Sequence, residues 1–386
     1  MSDSSPIRVL HVVPSLGRVT GVANFVYNME YYHDEERVHY DFLHHSIRSG
    51  HYMHQDRFDD ELEKHGSTVY TVNYAGDGLL RFIHEVHDFF NEFGADYDIV
   101  HCHMPNTAFS VLREAKRCGV ENRILHSHLN RTSDIWFHDL RNRPLNYIGK
   151  KYATDYIACS QDAGRFLFKD NEFTLINNGI RLESYEYNES VDAEKRLEFG
   201  IEKDDVVIGC VGRFVKQKNL EFAVRVFSDY RRVHPHSKLI LLGDGDGRRE
   251  LEAVIHDEQL TDAVLLPGVR TDVNQLYSVM DVFLMPSLCE GLPVSAIEAQ
   301  ASGLPCLYSN NVPQETDITG TGLFLPLTES VEQWTAALEQ CVNRGRSDAN
   351  AKILEEKGYS AKRSAELLMQ HYENLIYRDM NKQKFD

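Results

Sequence analysis

Two glutamates, Glu290 and Glu298, sit in the run DVFLMPSLCEGLPVSAIEAQASGLPCLYS (281–309), between a strand-like apolar stretch and a glycine–proline stop. Pro293 suits the first position of a helix, where a missing N–H costs nothing. Gly303 suits the residue just past its end, and Pro305 blocks continuation. The pattern predicts a helix over about 293–302, with Glu290 in the preceding loop and Glu298 inside it. Gly291 lets the chain turn tightly towards a ligand. A helix start presents unpaired N–H groups and a positive dipole end, which together favour an anion. A carboxylate one to two turns further on can accept hydrogen bonds from a vicinal diol such as ribose. Glu290 would then reach past a phosphate to a transferred sugar. The plainer alternative is one solvated loop acid and one surface helix acid.

Cations come from GCVGRFVKQKNL (209–220), which leaves a strand at Gly212 and supplies Arg213 and Lys218, with Lys216 as a neighbouring competitor. Two positive side chains at a strand end suit a diphosphate leaving group, whose charge they would stabilise. Surface charges ahead of a helix are the competing reading. The glycines of LLGDGDGRRE (241–250), at 243, 245 and 247, lack the G-x-G-x-x-G spacing of a dinucleotide site. In VPSLGRVTGVANFV (13–26), Gly17 and Gly21 flank a loop able to close over a diphosphate and admit an acceptor. RILHSHLNRT (123–132) ends a strand with His126 and His128 on one face, and His101 and His103 crowd the end of the preceding strand. Neither cysteine nor carboxylate follows His126 and His128 at ligand spacing, so no metal is expected there.

The elements that must hold these residues alternate strand and helix from end to end. Strands are expected at 7–13, 38–46, 67–74, 98–103, 123–128 and 155–160, and a second series opens at 206–214 and continues at 238–245, 263–268, 281–287 and 305–309. GVANFVYNMEYYHDEE and GLLRFIHEVHDFFNEFG between them read as helices. Such alternation predicts parallel sheets with crossover helices. At 386 residues, the chain exceeds the ~100–200 of an ordinary domain. The expected organisation is an α/β protein with two facing Rossmann-like, doubly wound domains and a cleft between them. The boundaries are 1–180, 181–360 and a C-terminal helix in 361–386 that packs back across the joint. Ligands of open α/β sheets bind outside the carboxyl ends of the strands.

Composition narrows the partners. A net charge of −18 argues against nucleic-acid binding, although a small anion needs only a few local cations. No apolar run reaches the ~18 residues of a membrane span, and MSDSSPIRVLHVV does not read as a secretory signal. The expected location is the cytoplasm. Seven scattered cysteines without a C-x-x-C pair fit reduced thiols. DIWFHDLRNRPLNYIGKKY (134–152) mixes Trp136, Phe137 and Tyr147 with Arg141, Arg143, Lys150 and Lys151. It reads either as an ordinary helix or as a peripheral contact with anionic lipid at the inner membrane face.

The stretch S-x-x-E-G-L-P-x-x-x-x-E-A-x-A-x-G-x-P (287–305) resembles the signature of family-4 retaining glycosyltransferases of GT-B fold, with their E-x7-E motif at Glu290 and Glu298. The family's G-R-x-x-x-x-K falls on Gly212, Arg213 and Lys218. The resemblance implies that Glu298 binds the nucleotide ribose, that Glu290 sits at the donor sugar near the anomeric carbon, and that Gly291, Leu292 and Pro293 line the same pocket. It implies donor contacts at Gly243 and Gly245, and at Val269 and Arg270 near the base. It also implies a histidine at the donor sugar's hydroxyls, best matched by His126, with His128 as the alternative. The family usually pairs glycines in the first loop, whereas this chain has Thr20–Gly21. The implied reaction moves a hexose from a nucleotide sugar by front-face attack. Arg213 and Lys218 take the place of a divalent ion, and no cofactor is needed. The chain as a whole is similar to bacterial exopolysaccharide and capsule glycosyltransferases, which implies a glycan or undecaprenyl-diphosphate-linked acceptor. A sugar-nucleotide epimerase and a non-catalytic donor-binding subunit are the alternatives, and both sit poorly with the full set of cations and glutamates.

Overall fold

The computed structural model describes residues 5–18, 20–48, 50–52, 57–128 and 136–382. The chain divides into two compact units, the first made of Met1–Gly179 with Ala361–Asp386 and the second of Ile180–Ser360.

The first unit is built on β1 (Ile7–Val13), β2 (Val38–Arg48), β3 (His51–Tyr52), β4 (Val69–Asn73), β5 (Ile99–Cys102), β6 (Asn122–Ser127), β7 (Asp155–Ala158) and β8 (Thr174–Leu175). Its sheet runs β3-β2-β1-β5-β6-β7-β8, with β4 also paired to β2. All pairings are parallel except the short β2–β3 hairpin. β5 and β6 are buried along their whole length, as strands covered on both faces must be. The sequence pattern passes over β3 and β8, each only two residues long and too short to show a period.

The C-terminal helix, Ala361–Lys382, is part of this first unit's core. Its Ala365, Leu368, Met369, Tyr372 and Leu375 pack with Val9, Val13, Phe25 and Met29, the last two from the helix Gly21–Tyr31. Arg37 fastens the helix from outside, bonding Glu366 at 2.9 Å and Glu373 at 2.8 Å.

The second unit holds β9 (Val206–Val211), β10 (Ser237–Leu242), β11 (Val264–Gly268), β12 (Val282–Met285), β13 (Cys306–Ser309) and β14 (Leu323–Leu325), in the order β11-β10-β9-β12-β13-β14. All its pairings are parallel. The chain winds outward from β9 through β10 to β11, then returns to β9's other side with β12. The strand order therefore reverses between β9 and β12, the place where open α/β sheets leave a crevice at their carboxyl ends. Short side chains let the loops at that edge interlock. A Cβ on Gly243, whose φ is +133°, would lie 2.0 Å from the Gly212 carbonyl oxygen. Backbone bonds close the same seam, from Gly212 N–H to Leu242 O at 2.9 Å and from Gly243 N–H to Gly268 O at 3.0 Å.

Because Leu368 is fully buried in the first unit's core, Leu368→Ala is expected to cost about 2–5 kcal/mol through lost contacts and a residual cavity. Urea unfolding followed by a probe of the first unit measures it. A loss below about 1 kcal/mol would mean that the helix is peripheral to that core.

Candidate active site

The second unit's crevice is made by the loops after β9 and β12. The loop after β9 passes through a short helical turn, Lys216–Lys218, and reverses at Asn219, which takes a left-handed φ of 54°. It is tied to the loop after β12 by Leu288 N–H to Gln217 O (2.8 Å) and by Asn219 Nδ2 to Pro286 O (3.1 Å). These bonds bring Lys218 Nζ within 2.8 Å of Glu290 Oε1, and both side chains are mostly buried. Gln217 Nε2 donates to Cys289 O at 2.8 Å and lies 3.5 Å from Glu290 Oε2. A Cβ on Gly212 would meet Lys218 Cε at 3.0 Å, so the bare glycine leaves room for the lysine stem to cross the strand end. Arg213 is exposed and makes no ion pair with any described residue, and Lys216 is likewise exposed. Of the two lysines, Lys218 is the one that meets Glu290.

The helix after this loop runs Val294–Ala301, so Pro293 is its N-cap, with φ −76° and ψ 118°, and not its first helical residue as the pattern suggested. Gly303 follows the C-cap in the left-handed region, at φ 76°. Leu292 packs on a small apolar cluster with Ile297 and Ala301. Glu298 is on this helix, and its two oxygens accept hydrogen bonds from Tyr185 Oη (2.9 Å) and Tyr277 Oη (2.8 Å). Burial pushes the Glu298 carboxyl above the usual carboxylate range, while the two tyrosine hydroxyls favour the anion and oppose that rise. Each carboxylate oxygen has lone-pair capacity beyond one such bond. Local spacing gave no sign of either tyrosine, since one precedes the second sheet and the other lies on the helix Val273–Val279.

The remaining donor-side positions are spread along the same edge. Gly245 N–H bonds the Asp244 side chain at 2.8 Å, and Phe214 N–H bonds Asp244 O at 2.9 Å. Val269 is exposed. Arg270 is held in a four-charge cluster: its guanidinium grips both Asp272 oxygens at 2.7 Å and reaches Glu198 at 2.9 Å, and Lys195 bonds the same two acids. The Arg270 hydrogen bonds hold the Asp272 carboxyl well below the usual range. Arg270 thus braces the loop after β11 through charges on this unit's own helices.

In the first unit, Gly17 is buried, with its N–H on Ser15 Oγ at 2.9 Å, and its carbonyl accepts from Thr20 N–H at 3.0 Å. Gly21 is exposed and opens the following helix, with Thr20 at the N-cap position and its hydroxyl turned back to donate to Gly17 O. His126 has no exposed surface. Its Nδ1 lies 3.1 Å from His101 Nε2, and its ring stands edge-on to Phe25. His126 and His128 share the packed face of the sheet, and His128, at the strand end, keeps some accessible surface. Three adjacent strands aim histidines at that face, with His11 from β1, His101 and His103 from β5 and its end, and His126 and His128 from β6 and its end. Ring nitrogens from neighbouring strands come close together there: those of His103, His126 and His128 lie within 4.8 Å of one another, as do those of His11, His101 and His103.

Asp134 and Ile135 of the aromatic, basic segment lie outside the described residues, as do the side chains of Trp136, Phe137 and Arg141. In its described part, Tyr147 and Ile148 are exposed and Lys151 Nζ sits 4.7 Å from the Tyr147 ring centre. Among the described residues, no helix is long and apolar enough to cross a membrane.

Comparison with known proteins gives the family and the fold. Residues 191–359 match the family model described as glycosyl transferases group 1. The putative glycosyltransferase EpsF of Bacillus subtilis (strain 168) is 31% identical over 392 aligned positions, covering 98% of this chain and 100% of that protein. An Escherichia coli UDP-Gal:alpha-D-GlcNAc-diphosphoundecaprenol alpha-1,3-galactosyltransferase is 29% identical over 55% of this chain and 58% of its own length. Among solved structures, Anabaena Alr3699/HepE in complex with UDP-glucose superposes with a TM-score of 0.71 at 18% identity, over 97% of this chain and 100% of that one. Sucrose-phosphate synthase from Thermosynechococcus elongatus gives a TM-score of 0.76 at 17% identity, over 96% and 100%. On the strength of a relative matched from end to end, the chain belongs to the group 1 glycosyltransferases and has the GT-B fold.

Proposed function

We propose that this glycosyltransferase moves a hexose from a nucleotide sugar, with retention at the anomeric carbon, onto a glycan or a lipid-linked diphosphate acceptor in cell-surface polysaccharide synthesis. The observation that carries the reading is the Lys218–Glu290 contact at the switch point of the second sheet. The names of the relatives support the substrate class. The E. coli relative is a UDP-Gal-dependent transferase acting on a diphosphoundecaprenol-linked sugar, and the Anabaena structure holds UDP-glucose. The epimerase alternative finds no support among these relatives.

In this reading, Lys218 exchanges Glu290 for the donor's diphosphate when donor binds. Arg213, with no carboxylate to release, joins it there, so no divalent ion is needed at that position. As the bond from the anomeric carbon to the phosphate oxygen breaks, charge grows on the leaving diphosphate, and the two cations stabilise it more than they do the ground state. The acceptor oxygen attacks from the same face and passes its proton to the departing phosphate. Glu290, freed from Lys218, faces the sugar. Glu298 accepts from the ribose hydroxyls while Tyr185 and Tyr277 hold it in place. Gly291, Gly243 and Gly245 let main chain approach the nucleotide. Exposed Tyr147, Ile148 and Lys151 would meet anionic lipid at the inner face of the membrane.

A panel of nucleoside diphosphates and nucleotide sugars in a thermal-shift assay tests the donor class, because a ligand that binds only the folded chain raises its melting temperature. No response to any of them would overturn the proposal. Lys218→Ala should abolish that response. It should also destabilise the unliganded protein by on the order of 3 kcal/mol, because Glu290 is left as an unpaired, mostly buried charge. Adding Glu290→Gln should recover most of the stability and none of the binding. Wild-type diphosphate affinity in Lys218→Ala would exclude the exchange.

Glu298→Gln separates stability from binding. The folded Glu298 carboxyl titrates above its unfolded value, so it favours folding most below the unfolded pKa. That contribution is lost as pH rises through the folded one. Removing the ionisable group should therefore leave the melting temperature at pH 7.5 unchanged or higher and flatten its decline from acid to neutral pH. Donor affinity should fall about 10- to 100-fold, the worth of a hydrogen bond to a charged group. A lower melting temperature with unchanged affinity would make Glu298 a purely structural acid.

A further inference from the structure

The histidine face of the first unit is unlike an ordinary core. His11, His101, His103 and His126 are all at most 4% exposed. Ring centres lie 3.9 Å apart for His126–His128 and 4.2 Å for His101–His103. Two hydrogen-bonded chains run through the stack. In one, His11 Nδ1 lies 2.9 Å from His103 Nε2, His103 Nδ1 lies 2.8 Å from His128 Nε2, and His128 Nδ1 lies 3.2 Å from Asn178 Oδ1. In the other, Tyr372 Oη lies 2.6 Å from His101 Nδ1, and His101 Nε2 lies 3.1 Å from His126 Nδ1. The second chain stops at His126 Nε2, a fully buried ring nitrogen with no hydrogen-bond partner. Leaving such a group unsatisfied is costly to the fold.

We propose that His103, His126 and His128 form a three-histidine site for a late first-row divalent metal ion, with Zn²⁺ the expected occupant. Imidazole nitrogens suit Zn²⁺, and three of them leave a fourth position open. The hydrogen bonds assign the ligand atoms. His126 offers its orphan Nε2, His128 its Nε2 and His103 its Nδ1, while the other nitrogen of each ring is held by His101, Asn178 and His11 respectively. A metal-bound histidine ordinarily has its second nitrogen fixed in this way. Each ring keeps one N–H: His103 shifts its proton from Nδ1 to Nε2 and donates to His11, whose own proton moves to its partnerless Nε2. Two nitrogens on one Zn²⁺ sit roughly 3.3 Å apart, so the 2.8 Å His103–His128 pair has to open by about half an ångström and the stacked rings have to tilt. Entry is from the His128 side, where an anion or hydroxide can take the fourth position and reduce the buried charge. This inference is independent of the donor reading, whose cations and glutamates are all in the second unit.

The test uses tag-free, full-length protein dialysed against buffered Zn²⁺, with bound metal measured by elemental analysis and the Co²⁺-loaded protein examined by visible absorption. The expected result is about one equivalent per chain, with Co²⁺ d–d bands of a four-coordinate nitrogen site. His128→Gln, at the accessible edge, should weaken binding at least about tenfold with an unchanged circular dichroism spectrum. His126→Gln should do the same, while exposed His256→Ala should leave binding as it is. Less than about a tenth of an equivalent in the wild type, or undiminished binding in His128→Gln, would overturn the proposal and leave the histidines as a hydrogen-bonded core stack.

Discussion

At the carboxyl edge of the second sheet, two turns pass so closely that Gly243 cannot carry a side chain. Gly243 approaches the Gly212 carbonyl to a distance no Cβ would allow, and Gly212 has the further task of letting the Lys218 stem by. This contact fixes where the loop after β9 leaves the sheet. From there the backbone bonds to Gln217 and from Asn219 fix the loop after β12 beside it. Relaxing the turn would separate Lys218 from Glu290, the ion pair between the two motif segments. The glycines of this edge are thus needed for packing whether or not a nucleotide also uses the space they leave.

The protein handles buried charge in three ways. Lys218 and Glu290 neutralise one another, so either can be released to an incoming ligand of like sign to its partner. Glu298 is stabilised by neutral donors, Tyr185 and Tyr277, which orient a carboxylate without cancelling its charge. Arg270, Lys195, Asp272 and Glu198 form a closed cluster in which every charge is answered locally. Only the first two arrangements leave something over for a ligand. A net charge of −18 does not by itself exclude a small anion, because the field at a site is set by charges at short range and not by the distant, screened acidic surface.

Much of this was legible in the residue order, because strand, turn and helix-end signals are local. The alternating elements gave the two parallel sheets, missing only the short edge strands β3, β8 and β14. The glycine–proline punctuation placed the helix after Glu290 to within one residue, and the motif spacing singled out Lys218, Glu290 and Glu298. The histidines were visible as His-x-His pairs at two strand ends.

Long-range partners were not legible. Tyr185 and Tyr277 reach Glu298 from distant parts of the chain, and nothing in their own neighbourhoods marks them. The burial of His126, and the assembly of five histidines on one face, depend on which strands become neighbours. Pairing β1 with β5 and β5 with β6 makes that choice. The C-terminal helix belongs to the first unit because its apolar stripe matches the helix Gly21–Tyr31 and β1, which lie at the other end of the chain. The sequence by itself determined the elements, the fold class and the candidate site residues, since each rests on backbone preference and spacing over a few turns. Only the tertiary structure decided which lysine meets Glu290, what holds Glu298 and which histidines stack together, because contact between side chains is set by strand order and packing.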